Sequence, residues 1–187
     1  MSATGKRPSV HGAMKRDGSP LRVLHVLPWI SSGGVEKRRL MLARHLPPEA
    51  VEQRVVSLQT EGPLARELRD LGVPVETAGT SWQATDPVAT WRIIRAIDDF
   101  DPDIVHGAVF EGVIQATLAT RFRSKPKLVL EEIDFPINRS VKGSAYAQLL
   151  FRRADACVGV SESVGQYLRD VLRLDPRKVH VITNGIE

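Results

Sequence analysis

At 187 residues, 42% hydrophobic and 26% charged, the chain has the composition of an ordinary folded protein and a length that suits one domain, which excludes wholesale disorder and a disulfide scaffold. The net charge of +4 is raised by Lys6, Arg7, Lys15 and Arg16 at the start, and no element gathers Lys and Arg beside groove-reading partners, so a nucleic-acid partner is not expected. The single cysteine, Cys157, sits in the apolar run Ala156-Cys157-Val158-Gly159-Val160, the pattern of a buried thiol in a reducing cytoplasm.

Residues 1–20 are rich in Ser, Gly, Pro and basic residues without hydrophobic period, the composition of a disordered lead-in. No stretch approaches the roughly 20 apolar residues that span a bilayer, and the start lacks the apolar segment of a signal peptide. The spacing then predicts a strand over 23–27, a helix over 34–46, a strand over 54–58, a helix over 63–71 and a strand over 73–75. A helix over 87–100, a strand over 103–106, a helix over 111–121 and a strand over 127–131 follow. The last elements are a helix over 143–153, a strand over 156–160, a helix over 161–171 and a strand over 179–183.

In the first helix Val35, Leu42 and Leu46 share a face, with Lys37, Arg38 and Arg44 elsewhere. The strands are nearly continuous apolar runs, as strands buried on both faces should be. Seven strands separated by six helices imply parallel crossovers, hence a doubly wound, Rossmann-like α/β domain of three layers over residues 21–187.

In such a sheet ligands lie beyond the carboxyl ends of the strands, which nominates residues 28–36, 59–62, 106–111, 131–139, 161–163 and 184–187. Gly33 and Gly34 stand between a strand and a helix start, where backbone can approach a ligand and free amides favour a phosphate. The same pair could make only a tight turn with Ser32 as cap, and Glu36 could simply complement the helix dipole. Neither the dinucleotide fingerprint nor the P-loop is present.

His106 ends its strand at the crevice rim, placed either to hydrogen-bond a sugar hydroxyl or move a proton, or to pack as a satisfied histidine. Glu131, Glu132 and Asp134, with Arg139 downstream, make an acidic cluster that can accept hydrogen bonds from hydroxyls, act as base, or form a surface ion pair. His25 and His180 lie within strands and read as structural, and no ligand set of metal-binding spacing occurs. There is no Gly-x-Ser-x-Gly elbow, and Cys157 lies mid-strand, so hydrolase chemistry is not expected.

Taken together, four segments resemble the N-terminal domain of family 4 glycosyltransferases of the GT-B type. They are Val23-Leu24-His25-Val26-Leu27-Pro28 with Gly33-Gly34-Val35-Glu36; Asp101-Pro102-Asp103-Ile104-Val105-His106; Val158-Gly159-Val160-Ser161-Glu162; and Val179-His180-Val181-Ile182-Thr183-Asn184-Gly185-Ile186.

The resemblance implies two Rossmann-like domains facing across a cleft, of which this chain is the acceptor-side one and lacks the donor-binding domain. It implies a retaining hexosyltransferase that uses a nucleotide sugar as co-substrate, with no cofactor or metal, and that is inactive as this half alone. Gly33 and Gly34 would face the donor diphosphate. Glu36, Glu131, Arg139, Ser161, Glu162 and Asn184 would bind substrate, while Glu132, Asp134 and His106 would carry the chemistry.

Many family members end the fifth strand with a histidine, where this chain has Leu130-Glu131-Glu132-Ile133-Asp134; Arg139-Ser140 matches an acidic variant of that pattern. The partner would be a glycan or lipid-linked acceptor at the cytoplasmic side, with peripheral membrane contact through Lys37, Arg38, Arg39, Arg121, Arg123 and Lys125, unless these form a solvated face. A stand-alone, non-catalytic carbohydrate- or partner-binding module is the alternative.

Overall fold

The computed structural model describes residue 15 and residues 17–31, 33–59, 61–78, 84–134 and 139–183. Most of the lead-in over 1–20, and the whole of 184–187 with Asn184, lie outside the described residues. Lys15 is placed, with its ammonium 2.8 Å from the Asp103 carboxylate.

Seven strands form one sheet: β1 Leu21–Leu27, β2 Val51–Ser57, β3 Val75–Thr77, β4 Ile104–Ala108, β5 Lys127–Glu132, β6 Ala156–Gly159 and β7 Val179–Val181. They lie in the order β3-β2-β1-β4-β5-β6-β7, every pair parallel. The helices are α1 Gly34–His45, α2 Pro63–Asp70, α3 Pro87–Phe100, α4 Val109–Ala119, α5 Val141–Phe151 and α6 Glu162–Gln166. This is the doubly wound architecture that the alternation of elements predicts, and its order reverses between β1 and β4.

Where boundaries differ from the expected ones, hydrogen bonding decides. Val73 donates its amide to Leu68 to close α2 and Pro74 has no amide, so β3 begins at Val75 instead of 73. Strand β2 starts at Val51, because β1 pairs with it from Leu21↔Val51 onward. The last predicted helix splits: after Gln166 the chain makes a π-helical turn over Tyr167–Val171, in which the Leu172 amide reaches the Tyr167 carbonyl at 3.0 Å.

Right-handed crossovers place α1 and α2 on one face and α3 to α6 on the other. The largest core cluster joins Leu24, Val26, Val105, Leu128, Leu130 and Cys157 to α3, α4 and α5; a second joins Leu27, Val55 and Ala108 to α1 and α2, and a third gathers Val23, Ala50 and Val51.

Helix α4 lies against the sheet through glycines. A Cβ on Gly112 would stand 2.5 Å from the Val26 carbonyl oxygen, and one on Gly107 would stand 2.8 Å from the Gly112 oxygen. Since the obstacle is backbone, Gly112→Ala is expected to lower stability by about 1–3 kcal/mol, read as a lower urea midpoint at unchanged slope.

Candidate active site at the switch point

The crevice beyond β1 and β4 is bounded by the start of α1, the β4–α4 junction and the end of β5. Gly33 is the N-cap of α1 and supplies no side-chain acceptor to the helix amides. The Glu36 side chain folds back against Gly33 and is buried, whereas a Cβ on Gly34 would meet nothing within 4 Å. The first turn of α1 therefore keeps an open approach at Gly34. The neighbouring loop is held to it: Gly62 donates its amide to the Ile30 carbonyl. Across the switch point, Val109 takes φ 62° at the start of α4, a left-handed conformation that is costly for a β-branched residue and is held by its surroundings.

The pleat divides the acidic cluster. Successive β5 side chains alternate between faces, so Glu131 points toward α1 and Glu132 toward α4 and α5. Glu131 is 1% exposed and receives Arg39 Nη2 at 3.0 Å, His106 Nε2 at 3.1 Å and an ion-pair contact from Arg38. Arg39 Nη1 stands 3.2 Å from His25 Nδ1 and 3.3 Å from His106 Nδ1. A guanidinium only donates, and His106 Nε2 faces the Glu131 carboxylate, which leaves the His106 Nδ1 to accept; the His25 Nδ1 lies 3.3 Å from it.

Burial lowers both histidines below their ordinary value, His25 the further, with the Arg39 charge adding to it. Burial alone would raise the Glu131 carboxyl; the His106 hydrogen bond and the charges of Arg39 and Arg38 outweigh it and hold the group down to about 2.

His106 is thus not a rim residue free to move a proton. It is 6% exposed, and both of its ring nitrogens are engaged. Nor are Arg38 and Arg39 part of a solvated or lipid-facing surface, because both turn inward to Glu131 while Lys37 alone of the three is exposed. Of the other basic residues, Arg123 pairs with Asp98 at 2.7 Å and Lys125 with Asp103 at 3.8 Å. Leu42 is only half-buried. The buried positions of α1 are Val35, Glu36, Arg39 and Leu40.

On the other face, Arg139 Nη1 donates to Glu132 Oε2 and to the Tyr167 hydroxyl, both at 3.0 Å. Its guanidinium lies 5.0 Å above the Phe110 ring centre. Burial raises the Glu132 carboxyl despite Arg139 and the Ile133 and Asp134 amides. Arg139→Leu is accordingly expected to raise the Glu132 titration further, followed by carboxyl carbon NMR. Asp134 is exposed at the loop.

Ser161 caps α6 by accepting from the Val164 amide at 3.3 Å, and Glu162 pairs with Arg169. The structure therefore brings Gly34, Glu132, Asp134 and Arg139 to the carboxyl end of the sheet. It engages Glu131 and His106 in a buried network and gives Ser161 and Glu162 local bonds at the end of β6. The residue missed is Arg39, with Arg38 beside it. A sequence signal existed: Val35, Arg39, Leu42 and Leu46 recur at i, i+4, i+7 and i+11, which sets an arginine in an apolar row.

Among the described residues, no three His, Cys, Asp or Glu side chains are grouped to hold a metal, and no helix is long and apolar enough to cross a membrane.

The sequence matches the Glycosyl transferase 4-like domain over residues 33–185, and the chain belongs to that family. Solved structures of the same fold include a glycosyltransferase from Rickettsia africae, 20% identical at a TM-score of 0.68 over 90% of this chain and 44% of that one. Anabaena Alr3699/HepE in complex with UDP-glucose is 17% identical at 0.72, over 89% of this chain and 44% of that one. The UDP-GlcNAc 2-epimerase of Methanocaldococcus jannaschii is 12% identical at 0.60, over 88% and 46%. The chain thus spans less than half the length of these GT-B neighbours. Among curated proteins, none matches the sequence significantly.

Proposed function

We propose that the chain is the acceptor-side half of a retaining glycosyltransferase that moves a sugar from a nucleotide-sugar donor to a glycan or lipid-linked acceptor at the cytoplasmic side. The observation that supports this best is the placement of an uncapped helix start at Gly33 and Gly34 across the switch point from the carboxylates and Arg139 at the end of β5. Family membership supplies the reaction class.

In the reaction the acceptor oxygen bonds to the anomeric carbon, and the bond from that carbon to the diphosphate oxygen breaks with its electrons going to the diphosphate. The α1 amides at Gly34 stabilise that growing charge. Asp134, the exposed carboxylate, receives the acceptor proton, while Glu132 and Arg139 hold acceptor hydroxyls. His106, Glu131 and Glu36 position the wall beneath, and Ser161 and Glu162 extend the acceptor side beyond β6. No metal takes part, and the donor nucleotide is held chiefly by the second domain.

The test offers UDP- and GDP-sugars, with a panel of glycan and lipid-phosphate acceptors, to the chain alone and to the chain joined to a donor-side domain of the same family. Transfer by the joined form only is expected. Transfer by the chain alone overturns the half-enzyme assignment. Glycan binding by the chain, with no transfer in either form, replaces it with a non-catalytic binding module.

A further inference from the structure

At the edge of the sheet opposite β7, α3 and β3 enclose a groove of about 310 Å³, lined by Trp91, Arg92, Arg95 and Asp99 of the helix and by Glu76 and Thr77 of the strand. Trp91, Arg95 and Asp99 recur at i, i+4 and i+8 and so form one row along α3. Trp91 is 54% exposed, an indole on a water-facing row that the core does not use. The Arg95 guanidinium lies 5.2 Å from its ring centre and fixes the orientation of the ring.

Polar groups surround this platform. Arg92 donates to the Ala78 carbonyl at 3.1 Å, Glu76 stands 3.4 Å from Arg54, and Thr77 donates to Glu61. Among the described residues, Arg95 and Asp99 have neither a hydrogen bond nor an ion pair. Free donors and free acceptors therefore lie side by side, and the two arginines of the lining balance its two carboxylates.

An anion gains little from so balanced a field. A neutral molecule whose hydroxyls each donate and accept meets both kinds of group, and a flat C–H face can lie on the indole. A pyranose ring has both properties. A protein partner would require a broader apolar centre, whereas Val88 and Trp91 are the only large apolar side chains that α3 exposes.

We propose that this groove is a second, glycan-binding subsite, which takes a neutral sugar unit of an extended acceptor on Trp91. It rests on the glycosyltransferase reading above and narrows the acceptor to an oligosaccharide. Trp91 lies in the first half of α3 and Ala78 directly follows β3, so the groove begins at the carboxyl end of the sheet, as the crevice does. Strand β3 is two places from β1, roughly 10 Å, which a short oligosaccharide anchored in the crevice can cover. Binding there is remote from the reacting hydroxyl and selects acceptors by length.

The test records nitrogen–proton correlation spectra of the full chain, with the Trp91 indole signal assigned through Trp91→Phe. The chain is titrated with maltotetraose, cellotetraose, mannotetraose and tetra-N-acetylchitotetraose, and with the methyl glycoside of each sugar. At least one tetrasaccharide is expected to shift the Trp91 indole signal saturably and to bind about tenfold tighter than its methyl glycoside, with a loss of about tenfold or more in Trp91→Ala. Asp99→Asn takes the place of Trp91→Ala if that variant loses its far-UV circular dichroism.

No saturable shift with any sugar, or binding unchanged in the folded variant, overturns the proposal. Inorganic phosphate that moves the Trp91 signal where neutral sugars do not assigns the groove to an anion and also overturns it. A shift with protein concentration alone, untouched by sugar, marks a contact between copies of the chain and does the same. The titration requires no glycosyl transfer: sugar binding through Trp91 without transfer by the joined form keeps the subsite and removes the enzyme reading, and transfer without such binding does the reverse.

Discussion

Glu131→Ala is expected to destabilise the chain by about 3–5 kcal/mol, because it removes one carboxylate and strands two arginines in the interior. Arg39 is 5% exposed, and it loses its anion along with His106, which loses the acceptor of its Nε2–H. Urea unfolding monitored by tryptophan fluorescence reads the loss.

The same network sets the acid limit of the fold. The histidines have folded values below their ordinary 6.5, so the unfolded chain binds more protons below that pH and stability falls as pH drops through it. Glu131 is depressed from 4.5 to about 2. Its contribution is complete above about 4.5 and is lost as pH falls toward 2. In Glu131→Ala the lower part of this decline should vanish; a curve unchanged between pH 4.5 and 2 would remove the network from the account of acid stability.

Gly34→Pro in the complete two-domain enzyme is expected to lower turnover roughly 10²-fold, the effect of deleting one preorganised donor to a leaving oxyanion. Gly34 is the first residue of α1, where proline fits the helix and removes only a free amide. Gly33 before it has ψ 172°, compatible with a following proline. A Cβ at Gly34 meets no atom within 4 Å. The helix should therefore survive, as judged by an unchanged unfolding midpoint, while transfer drops. Full turnover in this variant would detach the α1 start from the diphosphate. Gly34→Ala, which keeps the amide, should retain most of the activity and separates lost hydrogen bonding from crowding.

The alternation of apolar runs and helical periods was enough to read the order and number of the elements, since each parallel strand demands a crossover. It was silent on faces. In β5, Glu131 and Glu132 are neighbours in sequence but lie on opposite sides of the sheet, and only the pleat, not the composition, separates a buried structural carboxylate from one beside Arg139. His106 was legible as a strand-end residue. Its partners were not, because His25 and Glu131 come to it from β1 and β5, 81 and 25 residues away in the chain.

The π-helical turn at Tyr167–Val171 carries a history. A π turn accommodates one residue more than the α-helix it interrupts, and such turns gather at functional sites. Each added residue rotates the downstream segment by about 100°; here Leu168 and Leu172 both remain buried while the Tyr167 hydroxyl reaches Arg139. The turn therefore has the form of a single-codon insertion that the core absorbed, and relatives lacking it should show a one-residue gap between 167 and 171 together with a different partner for the arginine.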